Sequence, residues 1–269
     1  MLHGVEPFEH GMSAVDNNWV IFPKQRKSAA LRLICFPNAG GGGSVYRVWA
    51  DEVHPDVELG WALWPGRESR IRETPCASIE ELVPALTSGL SKWLDCKFVF
   101  YGHSLGAKIA FEVSRELRRR QHVGPAHLFV GACQAPQVPW HQLVLHQLAE
   151  EQFIEQVQNR YGGIPRQVVG DPELRALLIP ALRADVRLVE TYKYTPEPPL
   201  SCPITAFGGA ADGAVEPWAL DAWRQQTCNN FQIHTVPGDH FFVNSSRQRL
   251  LQAIAAVLQP SSASVGVQQ

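Results

Sequence analysis

The chain has 269 residues, of which 45% are hydrophobic, and a formal net charge of -2 at pH 7. That length suits one large α/β domain or two small ones, and the apolar content is enough for a sizeable core. So small a net charge excludes a global field for nucleic acid or an anionic membrane surface, and no apolar run is long enough to span a bilayer. The six cysteines include no C-x-x-C pair and no zinc-type spacing with histidine. They read as free thiols in a reducing compartment, with no metal and no cofactor. No basic segment followed by an apolar one opens the chain, which argues against a signal peptide. A cytoplasmic protein is expected.

Residues 1–30 show no clear period and read as an N-terminal arm. Its one apolar patch, Trp19-Val20-Ile21-Phe22, is expected to dock on the domain that follows. Leu31-Arg32-Leu33-Ile34-Cys35-Phe36 is a strand, and it runs straight into Pro37-Asn38-Ala39 and a four-glycine run, 40–43. No G-K-[ST] follows, so the glycines are not a phosphate loop. A linker rarely follows a core strand directly. The loop fits instead the second half of an oxyanion hole, which enzymes with a G-x-S-x-G turn build after a strand.

A second strand ends at Gly60-Trp61-Ala62-Leu63-Trp64. Ile79, Leu82, Val83, Leu86, Leu90, Trp93 and Leu94 then recur at helical spacing. Ser78 and Glu81 make a capping box at the start of that helix, and Pro84 is expected to kink it. The apolar run Phe98-Val99-Phe100-Tyr101 leads into Gly102-His103-Ser104-Leu105-Gly106, followed by the small-residue helix pattern of Ala107-Lys108-Ile109-Ala110. A strand, G-x-S-x-G and a helix in that order predict a sharp turn that lifts the serine hydroxyl above a sheet. Side chains at the two glycines would collide with the neighbouring strand and helix. The backbone N–H of Leu105, at the helix start, then points where a negative oxygen would form.

The helix after the turn carries Ile109, Phe111, Val113 and Leu117 inward and ends in Arg118-Arg119-Arg120. Those arginines read as a solvated terminus complementing the helix dipole, with a docking patch for an acidic partner as the alternative. His127-Leu128-Phe129-Val130-Gly131-Ala132-Cys133 is the next strand. Over about 134–195 the pattern turns helical, amphipathic and interrupted by Pro and Gly. An insertion between two core strands is read as a lid, with a pair of ordinary covering helices as the alternative. Leu145 and Phe153, apolar residues of this stretch, are expected to bind substrate beneath it. Pro203-Ile204-Thr205-Ala206-Phe207-Gly208-Gly209 is a strand followed by Asp212. Phe231-Gln232-Ile233-His234-Thr235-Val236 is the last strand, followed by His240. Leu250, Leu251, Ile254 and Val257 mark a C-terminal helix. The organisation expected is an arm over 1–30, one domain over 31–259 carrying the lid, and a disordered tail over 260–269.

Strands alternating with helices argue a mostly parallel sheet covered on both faces, with active groups at the carboxyl ends of the strands. Ser104, Asp212 and His240 each follow a strand, in the order that accompanies a nucleophile elbow. Ser104 is the expected nucleophile, His240 the general base and acid, and Asp212 the group that orients the imidazole. His103 adjoins Ser104 and reads as a packing or hydrogen-bonding residue. His234 lies inside a strand, and His54, His122, His141 and His146 read as surface residues. Among acidic rivals, Asp239 has poor geometry for its own neighbour's ring and Asp185 lies within the lid.

Taken together, Cys35-Phe36-Pro37-Asn38-Ala39-Gly40-Gly41, Pro65-Gly66-Arg67-Glu68-Ser69-Arg70, the elbow, Arg183-Ala184-Asp185 with Glu190-Thr191-Tyr192, Gly208-Gly209 with Asp212, and Gly238-Asp239-His240-Phe241-Phe242 resemble the free-standing type II thioesterases of polyketide and nonribosomal peptide synthesis. The resemblance runs from about Trp19 to the last helix. It implies an α/β-hydrolase fold with a helical lid and hydrolysis of acyl groups from the phosphopantetheine thiol of an acyl or peptidyl carrier protein, clearing stalled synthases. It also implies an oxyanion hole made by the backbone N–H groups of Ala39 and Leu105. The family commonly has His where this chain has Asn38. If that side chain touches the acyl group, substrate preference differs. The competing readings are a general esterase or acyltransferase on the same fold, and a catalytically dead binding module, which would not need Ser104, Asp212 and His240 intact. A monomer is expected, with no nucleic-acid or membrane partner.

Overall fold

The computed structural model describes residues 19–26 and 29–258. The arm before residue 19 and the tail over 260–269 lie outside the described residues. Seven strands form one sheet in the order β1-β3-β2-β4-β5-β6-β7. They are β1 (Val20–Ile21), β2 (Leu31–Phe36), β3 (Val57–Ala62), β4 (Phe98–His103), β5 (Leu128–Gly131), β6 (Ile204–Gly209) and β7 (Phe231–Val236). Only β1 is antiparallel to its neighbour; the remaining pairs are parallel. The helices are α1 (Trp49–Glu52), α2 (Ile79–Leu90), α3 (Leu105–Arg119), α4 (Glu150–Arg160), α5 (Arg166–Gly170), α6 (Pro172–Thr191), α7 (Pro217–Asp221), α8 (Phe242–Ser245) and α9 (Arg247–Leu258). This is the α/β-hydrolase arrangement, with α4, α5 and α6 inserted between β5 and β6.

Successive side chains on a strand point to opposite faces, and here both faces are apolar, as parallel sheets require. On β4, Phe98 and Phe100 enter the core beneath α2 and α3. Val99 and Tyr101 enter the core beneath α1 and α9. β2 divides in the same way, Ile34 and Phe36 against Leu33 and Cys35. The patch around Trp19 docks as the edge strand β1, with Val20 opposite Ala62, and the Arg70 guanidinium lies 4.3 Å from the Trp19 ring centroid. The Ser78 hydroxyl caps α2 by accepting the Glu81 N–H at 3.2 Å, while the Glu81 carboxylate reaches back to the Ala77 N–H at 2.7 Å. α2 runs through Pro84 to Leu90.

Arg118, Arg119 and Arg120 are held by Glu197, Glu112 and Glu116 in a network of ion pairs on the protein itself. His146, read as a surface residue, is instead tucked against Glu190, its Nδ1 2.5 Å from the carboxylate, because the segment before α4 folds back onto α6. The six cysteines are free. Among the described residues no helix is long and apolar enough to cross a membrane.

Backbone packs tightly against backbone where α3 leaves β4. A Cβ on Gly106 would stand 2.0 Å from the carbonyl oxygen of Phe36 and 2.5 Å from that of Pro37. These are backbone atoms of the adjacent strand and cannot swing away. Gly106→Ala is expected to lower the unfolding free energy by about 3 kcal/mol, read as a shift of the urea midpoint by circular dichroism. An unchanged midpoint would mean that α3 slides freely along β2.

Candidate active site

The chain runs from β2 outward to β3 and returns to place β4 on the other side of β2. Phe36 therefore lies beside Gly102 in the sheet. The loop after β2 and the turn after β4 leave the carboxyl edge side by side, at the switch point where crevices open in such sheets. Ser104 sits in that turn at φ 54° and ψ -119°, a conformation that L residues adopt only under constraint. Gly102 makes it possible, since a Cβ there would meet the Ala107 Cα at 2.4 Å.

The structure brings the three sequence candidates together. His240 Nε2 lies 3.0 Å from the Ser104 hydroxyl. On the other side of the ring, Nδ1 lies 3.0 and 3.2 Å from the two carboxylate oxygens of Asp212. The Asp212 side chain is only 2% exposed. Asp239 is exposed and turns its carboxylate to the Phe241 N–H at 2.9 Å. His103 is wholly buried. Its Nε2–H donates to the His240 carbonyl at 2.7 Å, and its Nδ1 accepts the Tyr101 hydroxyl at 3.0 Å. It thus supports the backbone of His240 from below.

A cavity of about 300 Å³ opens over Ser104 and His240. One wall is the loop after β2, with Asn38, Ala39, Gly40 and Gly41. The opposite wall is apolar and comes from the inserted helices, including Val157, Ile179, Leu182 and Val186. Tyr161 closes the side near His240, with ring centroids 5.0 Å apart. Asn38 stands at the cavity, its amide donating to the Ala39 carbonyl at 3.0 Å. The N–H groups of Ala39 and Leu105 find no acceptor among the described residues. Leu145 and Phe153 do not line the cavity. Both are fully buried in the insertion's own core with Ile154, Val157 and Val168. The Arg183 guanidinium covers the Phe153 ring at 4.2 Å. Their side chains face the helices around them, so they hold the insertion together rather than touch a ligand.

The thioesterase domain model matches residues 31–258. The chain belongs to the thioesterase family. It is 37% identical over 243 residues to the gramicidin S biosynthesis protein GrsT of Aneurinibacillus migulanus, covering 90% of this chain and 94% of that one. Among solved structures it resembles RedJ, a thioesterase from the prodiginine biosynthetic pathway in Streptomyces coelicolor. The TM-score is 0.81 and the identity 38%, over 87% of this chain and 88% of RedJ. It also resembles YbtT, a type II thioesterase from the yersiniabactin NRPS/PKS biosynthetic pathway, with TM-score 0.79 and 29% identity over 88% of this chain and 97% of that one.

Electrostatics divide the residues of this thioesterase site. Burial raises the Asp212 carboxyl, but the hydrogen bond and charge of His240, with the Ala214 N–H at 2.9 Å, outweigh it and hold the group below its ordinary range. Asp212 is therefore ionised and can balance a positive imidazole. Burial, with the nearby His240, pushes His103 from 6.5 down to about 3, so it stays neutral. Its proton deficit has a sign. The unfolded chain takes up that proton below about pH 6.5, and the native state does so only near pH 3. Native stability is therefore lost as pH falls through that window. From pH 6.5 to pH 5 the loss attributable to His103 is about 2 kcal/mol. In His103→Gln, which keeps a donor for the His240 carbonyl, the difference between unfolding free energies at pH 7.5 and pH 5 is expected to shrink by that amount. An undiminished difference would assign the acid sensitivity to other groups.

Proposed function

We propose that this thioesterase hydrolyses acyl groups from the phosphopantetheine thiol of acyl or peptidyl carrier proteins, and that in doing so it clears stalled polyketide or nonribosomal peptide synthases. The observation that carries the reading is the line Ser104–His240–Asp212 on the floor of an apolar cavity. The biosynthetic relatives support the choice of substrate, since YbtT belongs to a mixed NRPS/PKS pathway and GrsT to gramicidin S biosynthesis.

In this mechanism His240 Nε2 takes the Ser104 hydroxyl proton as Oγ bonds to the thioester carbonyl carbon. The carbonyl electron pair moves onto oxygen, where the N–H groups of Ala39 and Leu105 stabilise it. Collapse breaks the carbon–sulfur bond, and the imidazolium returns its proton to the departing thiolate. The acyl group is left as an ester on Ser104. Water then adds to that ester while His240 takes one of its protons. The second collapse releases a carboxylic acid and restores the Ser104 hydroxyl. Asp212, ionised throughout, stabilises each imidazolium and fixes the tautomer with Nδ1–H facing it. The acyl chain lies against Ile179, Leu182 and Val186, whose apolar surface fits a hydrocarbon better than the polar pantetheine arm. The 134–195 insertion acts as a lid that opens to admit the chain and shields the acyl-enzyme afterwards.

With acyl groups loaded on carrier protein, Ser104→Ala is expected to abolish turnover while leaving the circular dichroism spectrum unchanged. Asp212→Asn should lower kcat by roughly 10⁴. Residual Ser104→Ala activity above about a tenth of the parent would remove Ser104 as nucleophile. A faster rate on p-nitrophenyl esters than on carrier-bound thioesters would turn the reading to a general esterase.

A further inference from the structure

Asp185 belongs to α6, yet its side chain makes its bonds outside the insertion. It is 1% exposed. Its Oδ1 accepts Arg67 Nη2–H at 2.8 Å and the Trp64 indole N–H at 3.4 Å. Its Oδ2 accepts Arg67 Nη1–H at 3.0 Å and the backbone N–H of Gly40 at 2.7 Å. Arg67 also donates to the carbonyls of Gly41 at 3.1 Å and Trp64 at 3.3 Å. Its guanidinium lies 4.1 Å from the Trp64 ring centroid. One carboxylate thereby joins α6, the loop after β3 and the glycine loop after β2.

An ion pair that merely held the insertion down would have no need of the Gly40 N–H. That bond falls on the peptide joining Ala39 to Gly40, next to the N–H of Ala39, a residue that lines the cavity. Gly40 is held at φ 64°, and Leu182, one turn before Asp185 on α6, fills the space where its Cβ would be, 2.7 Å away. Leu182 also lines the cavity. The position of α6 and the orientation of the Ala39–Gly40 peptide are therefore tied twice, by one charged hydrogen bond and by one packed side chain.

We propose that Asp185 is a positioning residue. It keeps the Ala39 N–H aligned with that of Leu105 while α6 rests on the loop, so the oxyanion hole is complete only with the insertion closed. The proposal rests on the reading of Ser104 and the oxyanion hole given above. Charged hydrogen bonds of this kind fix geometry strongly in a dry site, and a donor displaced by an ångström stabilises little.

The test compares Asp185→Asn and the double variant Arg67→Met/Asp185→Leu, which leaves no unpaired buried charge and no side-chain acceptor for the Gly40 N–H, with the parent enzyme on an acyl thioester. Asp185→Asn should lower kcat roughly 10- to 100-fold, less than outright loss of an oxyanion donor, with KM changed less than about threefold. Affinity for an acyl trifluoromethyl ketone, which forms the tetrahedral adduct on Ser104, should fall by the same factor as kcat/KM. The double variant, freed of the buried-charge penalty, should fold and show the same pattern. If activity per folded molecule and ketone affinity are preserved in either folded variant, Asp185 is only an anchor and the proposal fails. Ser104→Ala separates the two levels. An active Ser104→Ala enzyme would overturn the underlying reading, whereas an inactive one beside a fully active Asp185→Asn would overturn the clamp alone.

Discussion

Ser104 must hold φ 54° and ψ -119° with a side chain attached, at a cost of about 1–3 kcal/mol. No local preference maintains that conformation. It persists because the elements on both sides of it are locked in the core, Phe100 and Tyr101 before the turn and Ile109 and Phe111 after it. The two glycines allow α3 to come down against β2 closely enough for this, and no other residue would fit. Much of the architecture follows. With α3 seated on the end of β2, the glycine loop must leave beside the turn, and Ala39 and Ser104 come to line one cavity. The strain is local, but the sheet as a whole supplies the constraint.

Beneath the site the same demand for close packing sets the electrostatics. His103 lies directly before Ser104 and is sealed from water, so it can remain only as a neutral ring with both nitrogens satisfied. The Tyr101 hydroxyl and the His240 carbonyl provide the partners. His240 is thereby supported through its backbone from below and through its Nδ1 by Asp212 from the side. Asp212 keeps its charge, because hydrogen bonds to its ionised form and the His240 charge outweigh burial.

The insertion is a small core in its own right. Leu145, Phe153, Ile154 and Val168 pack among themselves, and Glu190, 1% exposed, ties the Leu145 and His146 N–H groups to α6. α6 spans residues Pro172–Thr191 and has to serve two surfaces. Ile179 and Val186 belong to the insertion's core and also border the cavity. Asp185, between them, reaches neither, and turns to Arg67 and Gly40. A helix that forms one wall of the cavity and is bonded to the opposite wall cannot shift without disturbing the site.

The alternation of strand and helix, the elbow and the order Ser104, Asp212, His240 were legible in the sequence. Each is written in a short window, where periodicity and glycine spacing report directly on backbone geometry. The tertiary structure decided the rest. Leu145 and Phe153 carry the same apolar signature as Ile179 and Leu182, and apolar character marks burial without saying which cavity or core receives it. Trp19 and its neighbours read as a sticky patch, but only the open hydrogen-bonding edge of β3 makes a strand of them. In the sequence Asp185 reads as an acidic rival for the histidine, but its partner is Arg67, 118 residues away. No spacing rule links two residues at that distance. Their pairing follows from the fold, because each charge, once buried by its own segment, is stable only where the other segment brings its counterpart.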